Sequence, residues 1–115
     1  MKTCIVNNFT VRIGQSAKDN WNLLDTSEPH FYFFHLSSFP SCFVIIDCKD
    51  DEISNEIVEQ CASICKNNTK YKNLKNIKVD YTRCDNLKKE DEVGTISYKS
   101  NKKVKQIQTD LKAHL

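Results

Sequence analysis

Glycine and proline are nearly absent, with two of each among 115 residues. A phosphate-cradling loop needs several glycines within a few positions, so nucleotide sites of that kind are excluded. No apolar run approaches the roughly 20 residues that a helix needs to cross a bilayer. The opening stretch MKTCIVNNFTVRI lacks the long apolar segment and small-residue cleavage site of a secretory signal. The chain therefore reads as cytoplasmic. A nucleophile elbow, a zincin helix and a paired-cysteine zinc knuckle are also missing. His30, His35, Cys42 and Cys48 lack the close ligand pairs of a structural zinc site. A nucleophilic pair of His35 and Cys42 has no third group to orient it. These absences argue for a protein that is not an enzyme, with no cofactor, no bound metal, no small-molecule substrate and no membrane partner.

What is present fits one domain, residues 1–115, with 39% hydrophobic and 28% charged residues. The six cysteines read as buried free thiols rather than a disulfide framework. Cys42 and Cys48 on one straight strand would sit roughly 20 Å apart at about 3.3 Å per residue, too far to bridge. Charge is unevenly spread. Residues 1–65 carry four basic and nine acidic side chains, whereas residues 66–105 carry twelve basic and five acidic. That asymmetry points to a polyanionic partner for the second half. Abundant Lys, Asn and Ile also match an AT-rich coding bias, which lowers the weight of any single lysine.

The chain is organised around residues 31–48, FYFFHLSSFPSCFVIIDC, which hold five of the six Phe. Two apolar runs broken by Ser37 to Ser41 predict adjacent strands. Earlier, TCIV and FTVRI predict two short strands around the turn pair Asn7-Asn8. Gly14 follows, at a position that needs a backbone shape alanine resists. Ser16 is an N-cap for a short helix over about 16–26. Ile53, Ile57, Val58, Cys61, Ala62, Ile64 and Cys65 recur at spacings of three and four, predicting a long amphipathic helix over about 52–66. Asp50, Asp51 and Glu52 suit its N-terminus, and Asn67-Asn68 its end. Next come a polar connector to Asn76, a strand over 77–82 and a loop over 83–92. Two last strands, around 95–98 and 104–107, are joined through Lys99 to Lys103, and the tail TDLKAHL suits a last helical turn. The fold class is α+β, mainly an antiparallel sheet with one long and one short helix.

Candidate contacts to nucleic acid are Lys70, Lys72, Lys75, Lys88, Lys89, Lys99, Lys102 and Lys103, with Arg83 and His35. The lysines fall in predicted connections, where they are free to reach phosphates. Alternation puts Phe31, Phe33 and His35 on one strand face, and Tyr32, Phe34 and Leu36 on the other. His35 is therefore a half-buried hydrogen-bonding residue or an edge contact beside rings on which a base could stack. No recognition helix or zinc finger is present, so base reading in a duplex groove is not indicated.

The order Gly14, Ala17-Lys18, Asn20, an aromatic run ending in His35, then Pro40 and the apolar run Phe43 to Ile46 resembles the NFACT-R domain. The match is closer in Tyr81-Thr82, Asn86-Leu87-Lys88-Lys89 and Val93-Gly94, followed by what the resemblance implies is a basic hairpin with Lys99, Lys102, Lys103 and Val104. The resemblance covers roughly residues 9–108 and is nearest to the small stand-alone eukaryotic coiled-coil-domain relatives, without their C-terminal coiled coil. Gln15, Trp21, Phe31, Phe33, Ser41, Cys42 and Phe43 replace polar or signature residues of that family. The resemblance implies a non-catalytic RNA-binding protein whose partner is the ribosome (rRNA, with ribosomal proteins as a further possibility) or tRNA. It implies a place at or near a tRNA-binding site and a role in translation silencing or dormancy. The alternative is a DNA-binding or protein-interaction module using the same basic face.

Overall fold

The protein is described by a computed structural model covering residues 1–49 and 53–109. Lys2–Val6 (β1) and Phe9–Ile13 (β2) form a hairpin whose turn residues Asn7 and Asn8 take φ of 49° and 69°. Two consecutive positive φ values give the turn a twist that matches the strands, and asparagine tolerates them. Ala17–Asp25 (α1) starts at Ser16, whose hydroxyl accepts from the Asp19 amide at 3.1 Å. A buried arginine closes the other end of α1. Arg12 of β2 donates to Thr26 Oγ1 at 2.8 Å and Ser27 Oγ at 2.7 Å, and pairs with Asp47 at 3.0 Å.

Tyr32–Leu36 (β3) and Val44–Ile46 (β4) are antiparallel neighbours, as the two apolar runs predicted. Asn55–Asn67 (α2) is capped by Ser54, which accepts from the Ile57 amide at 3.2 Å. Ile57, Val58, Cys61, Ala62 and Cys65 form its buried stripe. Then follow Lys78–Arg83 (β5), a 3₁₀ turn Cys84–Asn86, Leu87–Lys89 (β6), Ile96–Tyr98 (β7), a second 3₁₀ turn Asn101–Lys103 and Lys105–Gln108 (β8).

Six strands make one sheet in the order β1-β2-β4-β3-β5-β8, every pairing antiparallel. β6 and β7 form a separate two-stranded ribbon. Helix α2 covers one sheet face, burying Val11, Ile13, Phe34, Leu36, Val44, Ile46 and Val79. On the opposite face, α1 and the ribbon bury Phe33, Phe43, Ile45, Leu23, Cys84 and Leu87. Phe33 and Phe34 thus belong to different cores, each at 0% exposure, as strand alternation requires. Full burial of each is worth about 1.5–3 kcal/mol.

Four expectations change. Helix α2 starts three residues later than predicted, because Ser54 takes the N-cap; Asp50, Asp51 and Glu52 lie outside the described residues. Lys88 and Lys89 are not in a loop but on β6, whose inward residue Leu87 is buried against the second core. β7 and β8 do not form a basic hairpin, since β7 pairs with β6 and β8 with β5. Gly14 is required by crowding rather than by its backbone shape: a Cβ there would meet Asn20 Oδ1 at 1.9 Å. The predicted C-terminal helical turn, beyond Thr109, is outside the described residues.

Candidate nucleic-acid interface

The connector that carries Lys99, Lys102 and Lys103 is held by one buried asparagine. Asn86, 4% exposed, donates through Nδ2 to Thr82 Oγ1 at 3.1 Å and to the Ser100 carbonyl at 2.9 Å. Its Oδ1 accepts from the Ser100 amide at 2.9 Å, and its own carbonyl accepts from the Lys99 amide at 2.8 Å. Thr82 in turn donates to the Lys103 carbonyl at 3.0 Å. A loop of lysines would repel itself into many shapes; here four hydrogen bonds with Asn86 and Thr82 fix its backbone while Lys99, Lys102 and Lys103 stay exposed.

This fixed connector closes over the end of β5. Arg83, Lys103 and Lys105 come together with Tyr32, Tyr81 and Asp85 around a hollow of about 490 Å³. Asp85 accepts from Arg83 Nη2 at 2.9 Å and turns the guanidinium. The Tyr32 and Tyr81 rings lie 6.5 Å apart, and burial raises the Tyr81 hydroxyl pKa, which keeps it a neutral donor at physiological pH. Cations beside rings are the equipment for phosphate contact and stacking on an RNA strand.

Of the predicted contacts, Arg83 and Lys103 meet at this hollow, with exposed Lys99 and Lys102 on the same connector. Lys70, Lys72 and Lys75 do not join them; they lie before the opposite end of β5, which is about 17 Å long at 3.3 Å per residue. Lys88 is exposed on β6. Lys89 forms an ion pair with Asp25 and sits 5.0 Å over the Trp21 ring, so it helps dock the ribbon onto α1. Lys105, Tyr32 and Tyr81 were missed. Lys105 pairs across the sheet with Tyr81, and the signal was the strand pattern of β8, where Lys105 precedes an inward Ile107.

His35 faces a second hollow, of about 620 Å³, on the α1 side of the sheet. Its ring stacks on Phe33 at 6.0 Å and meets the Phe43 edge at 5.9 Å. Nδ1 lies 2.7 Å from the Leu36 carbonyl. A carbonyl only accepts, so Nδ1 carries the proton and Nε2 a lone pair. Burial lowers the His35 pKa against the opposing effects of that hydrogen bond and of Asp80, so the ring is neutral at pH 7. Asp80, its cross-strand partner, accepts from Ser37 Oγ at 2.6 Å, Gln106 Nε2 at 2.9 Å and Tyr98 OH at 3.2 Å.

An antiparallel sheet with a helix on one face, a ribbon on the other and a cation-lined end defines the class; comparison with known proteins gives the family. Residues 3–100 match the NFACT protein RNA binding domain, and the chain belongs to that family. The resemblance carried by Asn86 to Lys89 and Val93-Gly94 is thereby borne out. No curated protein matches the chain. Among solved structures, the fold is similar to the C-terminal part of the fibronectin/fibrinogen-binding protein from Streptococcus suis, with a TM-score of 0.78 and 18% identity. That match covers 88% of this chain and 40% of the other, so the chain spans less than half of the structure it resembles. No helix among the described residues is long and apolar enough to cross a membrane.

Proposed function

We propose that residues 1–115 act as a single non-catalytic RNA-binding domain that associates with the ribosome in the cytoplasm. The observation that carries this reading is the hollow at the end of β5, where Arg83, Lys103 and Lys105 converge beside Tyr32 and Tyr81. Family membership supports RNA as the partner class. The cations contact phosphates, which position the domain without reading sequence. Lys99 and Lys102 extend the strip, while Lys70, Lys72, Lys75 and Lys88 make a second set of contacts across the sheet. A compact domain of this kind, placed at or near a tRNA-binding site, excludes tRNA by occupying its space. That makes translation silencing in a dormant state the physiological role.

Co-sedimentation with purified ribosomes at low and high salt tests this. The expected result is association at low salt that is lost as salt rises, competed by tRNA. Absence from the ribosomal pellet at low salt overturns the ribosomal assignment. A preference for duplex DNA over ribosomal RNA and tRNA in filter binding overturns the choice of RNA.

A further inference from the structure

The hollow beside His35 differs in kind from the cation-lined one. Its lining among the described residues contains no Lys or Arg, and its one carboxylate, Asp80, is held by three neutral donors rather than by a cation. A carboxylate has about four acceptor positions. Ser37 and Gln106 both bond Oδ1, whereas among the described residues Oδ2 accepts only from Tyr98, which leaves one position on Oδ2. His35 adds a second open acceptor, since Nε2 has no hydrogen-bond partner among the described residues. The two stand on paired residues of neighbouring strands and on the same sheet face. The site therefore offers adjacent acceptors, walled by the Phe43 and Tyr98 rings, in a space within the roughly 300–1,000 Å³ span of small-ligand pockets.

We propose that this hollow receives one unpaired guanine base of the bound RNA, with Asp80 Oδ2 and His35 Nε2 accepting from its N1–H and N2 amino group. Of the four RNA bases only guanine presents two adjacent donors on its Watson–Crick edge; the others interleave donors with acceptors. Unpaired bases are the form in which RNA exposes that edge to a protein. The phosphates of the same strand are held by the cations elsewhere on the domain, of which Lys70 is linked to this hollow through ring contacts. Tyr71 packs on Phe39 at 4.5 Å with Lys70 Nζ 5.4 Å over its ring, and Phe39 lines the hollow, so Lys70 is separated from it by two rings. The proposal rests on the RNA reading above and adds to it a base preference at a separate place.

Fluorescence anisotropy of the full chain with labelled hexauridylate, and with versions carrying one central G, A or C, tests the site. The G-containing strand is expected to bind about tenfold tighter than the other three, the discrimination of a good base-edge contact. Asp80→Asn is expected to abolish that preference while hexauridylate affinity stays unchanged. His35→Phe, which keeps a ring and removes the acceptor, is expected to do the same. Equal affinity of the wild-type chain for all four strands overturns the guanine site and leaves the RNA reading standing. No binding of any strand at low salt overturns both. Tighter binding of free arginine amide than of guanosine overturns the choice of ligand. The wild-type series decides the question whether or not the variants fold.

Discussion

Gly14 shows how a single missing side chain sets a junction. Its amide donates to the Phe43 carbonyl at 2.9 Å, and Asn20 Oδ1 accepts from the Phe43 amide at 3.2 Å, so α1, β2 and β4 meet with no room for a methyl group. Gly14→Ala is expected to lose about 1–3 kcal/mol, as overpacking does, read as a lower urea midpoint at unchanged slope. Scarcity made Gly14 conspicuous in the sequence; the reason lay in Asn20, six residues on, and only the fold brings the two together. His35 carries the pH dependence. Its folded pKa lies below 6.5, so the unfolded chain binds the proton more readily. The stability it contributes is present above pH 6.5 and is lost as pH falls through the folded value. The melting temperature of the wild-type chain is expected to drop between pH 7 and pH 5 more than that of His35→Phe; parallel curves would show that the ring is not desolvated.

Short ribbons are harder to read than helices. Helix α2 was legible because thirteen residues repeat one apolar stripe, and β3 because its rings alternate. β6 was not: Leu87-Lys88-Lys89 offers one apolar residue and two charges, and only its pairing with β7 and the burial of Leu87 make it a strand. The change of setting separates two neighbouring lysines. Lys88→Glu is expected to leave stability within about 0.5 kcal/mol, as exposed substitutions do. Lys89→Glu faces Asp25 with a like charge and removes the cation from the Trp21 ring, at an expected cost of about 0.5–1 kcal/mol. Thermal melts of the two single variants check this, and equal melts would place Lys89 in solvent.

Across the molecule, the basic second half does not form one patch. The sheet divides it between the two ends of β5, with the Asn86-held connector at one and Lys70 to Lys75 at the other. Composition reported the excess of charge but not its division, because the lysines are placed by strand order. With both sets of cations engaged, about nine phosphates are contacted, and the logarithm of RNA affinity is expected to fall against the logarithm of salt with a slope of about −6 for a single strand. Lys103→Glu with Lys105→Glu is expected to flatten that slope by about 1.5 and to weaken all sequences alike, with the melt unchanged. An unaltered slope would move the contact away from β8. The three-layer arrangement itself was only half legible. Seven strands and two helices follow from local pattern, but that α1 and the ribbon share a face follows from which rings point which way.

Phe33 and Phe34, in separate cores, have a consequence for how the sheet is proofread. Where one face of a sheet is wet, a strand offset by one residue exposes its oily side and is rejected. Here both faces of the central strands are covered, and exchanging Phe33 with Phe34 would satisfy either core. Parity is instead enforced by misplaced polarity: the offset would drive His35 beneath α2 and break its pairing with Asp80. Making the strand greasier should therefore make it less certain of its place. His35→Leu combined with Asp80→Leu is expected to yield doubled amide resonances, two registers in slow exchange, from a chain that still folds.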